Sequence, residues 1–260
     1  MDDPIVARLS IVTRLRAAGC VFAEEEAALL LEAASTPDDL EHLVSERVKG
    51  LPLEHLLGWA EFGALRIVVE PGVFVPRRRT GFLVERALDL CASESTVLDL
   101  CCGAGAIGTA MLDEQPRLTM LAADIDPAAV RSARRNLEPL GGRVFEGDLF
   151  EAIPGEYRGR LDAVVANAPY VPTEAIAMMP PEARLHEARV ALDGGADGLD
   201  VQRRIAERAP EWLAPGGHLL VEASDGQSAT SAAIFEAAGL VASIVRSDDF
   251  EATVVIGAKP

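Results

Sequence analysis

The 260-residue sequence is poor in basic charge, in cysteine and in long apolar runs. Lysine and arginine number 24 against 41 aspartates and glutamates, giving a net charge of −17 and a pI of about 4.6. A nucleic-acid enzyme usually carries a basic footprint. Here the one dense basic run is Arg77-Arg78-Arg79, so direct nucleic-acid binding is not expected. The four cysteines, Cys20, Cys91, Cys101 and Cys102, form no C-x-x-C pair, and the four histidines have no partner at ligand spacing. No metal is expected, and the thiols read as reduced and buried. No apolar run reaches the length of a membrane span, and the start, MDDPIVARL, has no signal-peptide pattern. Internal repeats and low-complexity segments are absent too. What remains is a soluble, cytoplasmic chain, expected to be monomeric. It is 49% hydrophobic and long enough to bury a full core.

The most informative stretch is TVLDLCCGAGAIG, Thr96 to Gly108. Thr96 to Leu100 reads as a buried strand, Cys101 to Gly105 as a small-residue turn, and Ala104 to Leu112 as a helix. Strand, glycine turn and helix bring backbone N–H groups against a nucleotide-like ligand. Gly103, Gly105 and Gly108 also satisfy the dinucleotide pattern G-x-G-x-x-G. Asp99 argues against a dinucleotide, because a carboxylate at the strand end opposes a pyrophosphate. The sulfonium and ammonium of S-adenosylmethionine favour it. The bland alternative is that Asp99 only caps the turn.

Residues 1–60 read as helical. Ile5, Leu9, Val12 and Leu15 share one helix face, three glutamates open a second helix, and Thr36-Pro37 starts a third as N-cap and first helical residue. Phe62 to Val75 reads as a β-hairpin turning at Glu70-Pro71-Gly72, within a connector over residues 61–80. Thr80 is expected to cap a helix from Gly81 to Ala92. From Thr96 onward strands and helices alternate, which predicts a parallel sheet covered on both faces. Two closing strands, Leu240–Arg246 and Ala252–Ile256, predict a terminal antiparallel pair. Residues 81–260 form the catalytic domain on this reading.

Ligands of such sheets bind beyond the carboxyl ends of the strands. Asp99 ends the first strand. Asp124 ends the second at the spacing of an acid that takes ribose hydroxyls. Asp148-Leu149 follows the third and suits an adenine amino group and ring face. Asn167-Ala168-Pro169-Tyr170 ends the fourth. Asn167 offers a carbonyl acceptor. Residue 168, before a proline, is pushed to an extended backbone that turns its C=O outward. Two such acceptors can take both protons of one NH2 group, and Tyr170 can stack on that planar group. The alternative is an ordinary Asn-x-Pro turn.

At this point the chain resembles the protein-(glutamine-N5) methyltransferases that modify peptide release factors. That family carries NPPY where this chain has NAPY, and its glycine motif is similar to DLCCGAGAIG, Asp99 to Gly108. Leu53 to Thr80 is similar to the family's connector with its PRPET-like box. His186 to Asp200, HEARVALDGGADGLD, is similar to its EP-x-x-AL-x-GG-x-DGLD loop. The resemblance implies an α/β fold: a Rossmann-like seven-stranded S-adenosylmethionine-dependent methyltransferase domain, with a small N-terminal helical domain that recognises a release factor. It also implies cofactor contacts at Cys101 to Gly105, Asp124, Leu149 and Asn167, and a glutamine clamp at Asn167 to Tyr170. Three departures stand out. Ala168 replaces a proline, Arg79 replaces an acidic residue in PRRRT, and Leu149 stands where an aromatic is common. The helical region is also short by a few turns. Other readings of the same residues are a methyltransferase for an exocyclic amine of a nucleic acid or small molecule, a silent cofactor-binding relative, and a dinucleotide oxidoreductase.

Overall fold

The computed structural model describes the backbone from Pro4 and side chains from Ala7, in each case through Pro260. The first three residues and the apolar position expected at Ile5 lie outside the described residues. Three helices open the chain, α1 (Pro4–Ala17), α2 (Ala23–Ala33) and α3 (Pro37–Val48), followed by the one-turn α4 (Leu53–Leu57). Thr36 caps α3 as its sequence predicts. Its hydroxyl accepts from the Asp39 N–H at 3.1 Å, and Pro37 takes the first helical position. Leu15, Ala27, Leu30 and Val44 pack into a cluster of their own, separate from the sheet's core. Buried Arg47 ties this region onward, donating to Glu26 at 2.6 Å and to Glu182 at 2.5 Å.

A hairpin follows, but earlier than expected. Its strands are β1 (Trp59–Phe62) and β2 (Leu65–Val68), with Gly63-Ala64 at the turn. Glu70-Pro71-Gly72 is a turn between no strands. The reason lies in where the backbone of residues 69–75 finds partners. The Glu70 N–H donates to Ser132 Oγ, the Val75 N–H to Glu187, and the Gly72 carbonyl accepts from Ala188. With those groups engaged by distant segments, no second hairpin strand is left to form.

The sheet is built from β3 (Thr96–Leu100), β4 (Thr119–Asp124), β5 (Arg143–Glu146), β6 (Leu161–Ala166), β7 (Leu213–Ala223), β8 (Val241–Ser247) and β9 (Ala252–Ala258), in the order β5-β4-β3-β6-β7-β9-β8. Strands β3 to β7 run parallel, while β9 pairs antiparallel with β7 and with β8, the expected terminal pair. Pro215-Gly216-Gly217 lies inside β7 rather than ahead of it. It is accommodated as an irregularity between the Leu161/Leu213 and Ala163/His218 pairs. One face of the sheet is covered by α5 (Gly81–Leu90), α6 (Ala106–Glu114) and α7 (Pro127–Leu137), the other by α9 (Asp200–Trp212) and α10 (Asp225–Ala237). A short α8 (Pro181–His186) lies in the long β6–α9 connection. Alternate residues of β3 feed alternate faces: Val97 packs toward α6, Leu98 and Leu100 toward α9. The strand order reverses between β3 and β6, which opens a crevice at their carboxyl ends.

Candidate active site

A cavity of about 250 Å³ occupies that crevice. Cys101, Gly103, Asp124, Asp148, Leu149 and all four residues of Asn167 to Tyr170 line it. The turn after β3 is held open by its backbone. Cys101 has a φ of 55° and Gly103 of 54°. A Cβ at Gly103 would meet no atom of the described residues within 4 Å, so the space beside it is free for a ligand. Leu149 is a third lining residue with positive φ, 50°. Two of the three non-glycine residues with positive φ among the described residues therefore line this cavity. Such strain persists only where the surroundings enforce it, and it clusters at ligand sites.

Asp124 closes the turn from the neighbouring strand. One carboxylate oxygen accepts from the Gly103 N–H at 2.8 Å, the other from the Asp126 N–H at 2.9 Å. Burial pushes its pKa above the usual carboxylate value, and the two N–H donors oppose that rise. The Cys101 and Cys102 thiols are pushed well up by burial and by the surrounding carboxylates, so both are neutral rather than nucleophilic. Asp148 is held by Arg204 at 2.6 Å, a pairing with no local trace in the sequence.

Two of the expected cofactor residues do not line the cavity. Asp99 is fully buried and lies on the α6 face of β3 by strand alternation with Val97. Its Oδ2 accepts from the Gly108 N–H in the first turn of α6 at 3.1 Å, so the bland capping alternative describes it. Gly105 answers a packing need. With φ of 76°, it brings α6 against α7 so closely that a Cβ would stand 2.9 Å from Leu137 and 3.2 Å from Ala133.

At the other end of the cavity, Asn167 follows β6 and donates from Nδ2 to Thr80 Oγ1 at 3.2 Å. Thr80 does not cap α5 as expected. Its φ/ψ is already helical, and its hydroxyl instead donates to Glu222 Oε2 at 2.6 Å. The Ala168 carbonyl accepts no loop hydrogen bond among the described residues. Tyr170 is gripped from both sides. Its carbonyl accepts from Gln227 at 3.0 Å, and its hydroxyl accepts from Arg79. Burial and Glu222 raise the Tyr170 pKa, with Arg79 opposing. Arg79 also donates from Nε to Glu222 Oε1 at 3.0 Å. The departure at Arg79 thus becomes a structural contact, not a gap.

Sequence reasoning did not place Arg204 in the cavity wall, nor Thr80 and Glu222 behind Asn167. A hint was available for Glu222. It stands near the carboxyl end of a parallel strand, as Asp124 and Asn167 do. The apolar wall from Met179, Val190, Ala191 and Leu192 comes from the irregular β6–α9 connection, where no periodicity announces it.

The model of the Methyltransferase small domain family matches residues 64–197. The chain is 40% identical over 219 residues to a release factor glutamine methyltransferase of Geobacter sulfurreducens, covering 84% of this chain and 76% of that protein. It is 39% identical over 198 residues to one of Mycolicibacterium smegmatis, covering 75% and 69%. Among solved structures, a methyltransferase from Pyrococcus furiosus shares the fold with a TM-score of 0.58 at 17% identity, over 76% of this chain and 90% of that one. The chain belongs to the release factor glutamine methyltransferase family.

Proposed function

We propose that this chain transfers a methyl group from S-adenosylmethionine to the side-chain amide nitrogen (N5) of a glutamine in a peptide release factor. The observation that carries the reading is that two acceptors with no hydrogen bond among the described residues, Asn167 Oδ1 and the Ala168 carbonyl, share one cavity with the open turn at Gly103. When bound, S-adenosylmethionine supplies an electrophilic methyl on a sulfonium. The residues present fit it. Gly103 leaves the backbone accessible, Asp124 is placed for ribose hydroxyls, Leu149 gives an apolar surface for a ring, Asp148 offers a carboxylate to an amino group, and neutral Cys101 contributes only its backbone and volume.

An amide nitrogen is a weak nucleophile because its lone pair is delocalised. Asn167 and Ala168 hold both of its protons, which orients the nitrogen and favours the positive charge that develops as the N–C bond forms and the methyl–sulfur bond breaks; one of the two protons is then released to solvent. Tyr170 stacks on the planar group, and its own carbonyl is fixed by Gln227. Positioning and electrostatics supply the rate on this reading. The four-residue clamp recognises an amide only, so the choice of protein falls to residues 1–60 and the connector 61–80.

Incubation of the chain with labelled cofactor and purified release factor tests the reading. Label should enter the factor and vanish when its glutamine is replaced by alanine. An unlabelled factor beside another labelled protein in a lysate would overturn the release-factor assignment.

A further inference from the structure

Glu222 is a carboxylate with 3% exposure, standing behind the cavity's acceptor end rather than in it. Both of its oxygens are engaged: Oε1 by Arg79 Nε at 3.0 Å, Oε2 by the Thr80 hydroxyl at 2.6 Å. Paired with a guanidinium, the carboxylate only accepts. The single Thr80 proton must therefore go to Glu222. Thr80 Oγ1 is then left as an acceptor, and the Asn167 group facing it at 3.2 Å must be the NH2. The Asn167 oxygen is consequently the atom presented away from Thr80.

We propose that Glu222 and Thr80 are positioning residues that set the direction of the Asn167 amide, making it an acceptor for the methyl-receiving group. Arg79 completes the arrangement by tying Glu222 to the Tyr170 hydroxyl. The inference rests on the reading of Asn167 as an amide clamp. It adds that the clamp's polarity is written outside the clamp, in residues 80 and 222. A site with the opposite polarity would offer an NH2 to an NH2 and repel the substrate amide.

Replacing Glu222 by glutamine keeps the shape and inverts the logic. A glutamine offers one oxygen, which Arg79 takes, and its NH2 then donates to Thr80 Oγ1. The Thr80 proton turns to Asn167, whose amide must flip to accept it. Thr80→Val removes the relay without changing the volume, and Thr80→Ser keeps it.

The chain has two asparagines, Asn136 and Asn167, so selective 15N labelling of asparagine gives two side-chain NH2 signals. Asn136 donates to the carbonyls of Val68, Ala104 and Ser132 and serves as an internal reference for folding. The full chain is measured as wild type, Glu222→Gln, Thr80→Val and Thr80→Ser. The Asn167 signal should shift, and its exchange with solvent should change by about tenfold or more, in Glu222→Gln and Thr80→Val, while the Asn136 signal stays. Thr80→Ser should recover the wild-type signal. In the methylation assay, the first two variants should lose tenfold or more in kcat with cofactor Kd within about twofold, and Thr80→Ser should recover most of that loss.

An Asn167 signal unmoved in both variants overturns the relay. So does a moved signal with kcat within twofold of wild type, or a Thr80→Ser variant as impaired as Thr80→Val. If the wild-type chain methylates no glutamine, the substrate reading fails, and the NMR arm still decides the relay.

Discussion

The two ends of the cavity are built by opposite means. The turn end is local. Cys101 and Gly103 take their conformations within a few residues of β3, and Asp124 of the adjacent strand, 21 positions from Gly103, braces the turn by accepting from the Gly103 N–H. The acceptor end is assembled from afar. Asn167 meets Thr80 across 87 positions of sequence, Arg79 meets Tyr170 across 91, and Thr80 meets Glu222 across 142. A local site can be preserved by a short motif alone. A distributed one depends on the whole sheet being in register, and it can vary at one member when another compensates. Arg79, in place of the acidic residue of the similar box, closes here onto Glu222 and Tyr170.

That contrast can be broken first at the turn end. Gly103→Val puts a β-branched side chain at a φ of 54° and into space the ligand needs. Calorimetry with S-adenosylmethionine should show no measurable binding by a variant that circular dichroism finds folded. Unchanged affinity would remove the glycine turn from the site.

At the acceptor end the corresponding change is Asn167→Ala. It deletes one preorganised acceptor, and turnover on the glutamine substrate should fall about 10²–10³-fold in a variant that stays folded. A loss below tenfold would mean that the amide is held by something else.

Gly105→Ala sharpens the comparison, since the same motif serves a second purpose there. The new methyl meets Leu137 at 2.9 Å and Ala133 at 3.2 Å, at a φ of 76°. Denaturant titration should show a loss of about 1–3 kcal/mol, while the folded fraction binds cofactor as the wild type does. A selective loss of binding with stability intact would place Gly105 in the site after all.

The smallest effect is expected at Asp99. Burial lifts its pKa to about 7 in the fold, against an ordinary value of 3.8. The folded state therefore holds the proton more tightly than the unfolded one. The group's stabilising contribution is present below about pH 4 and is lost as pH rises through 7. Asp99→Asn does not titrate, so its stability relative to wild type should grow between pH 4 and 7 and then level off. Among the described residues the Asp99 Oδ1 atom has no partner, and an NH2 placed there also lacks one, which offsets part of the gain. A rise of roughly 2–4 °C at pH 8, about 1 kcal/mol, is the expectation. A pH-independent difference would contradict the buried, protonatable carboxyl.

Much of this could be read from residue order. Capping specified α3 through Thr36-Pro37, because a cap is decided within four residues; the apolar period of α1 held at Val12 and Leu15, whereas Leu9 is exposed because no neighbouring element covers it. Apolar strands alternating with helices specified the parallel sheet, and the crevice follows from any such sheet. The NAPY turn announced itself because a residue before proline has few conformations.

Tertiary packing decided the rest, because the deciding partners lie far away in sequence. Asp99 and Gly105 belong to the same motif as Gly103, yet the pleat of β3 and the approach of α7 assign them to packing. The hairpin ended at Val68 because Ser132, Glu187 and Ala188 engaged the backbone beyond it. Thr80 carried the residue type of a cap, but Glu222 took its proton. A hydroxyl has one proton to give, and only the fold settles which acceptor is nearest.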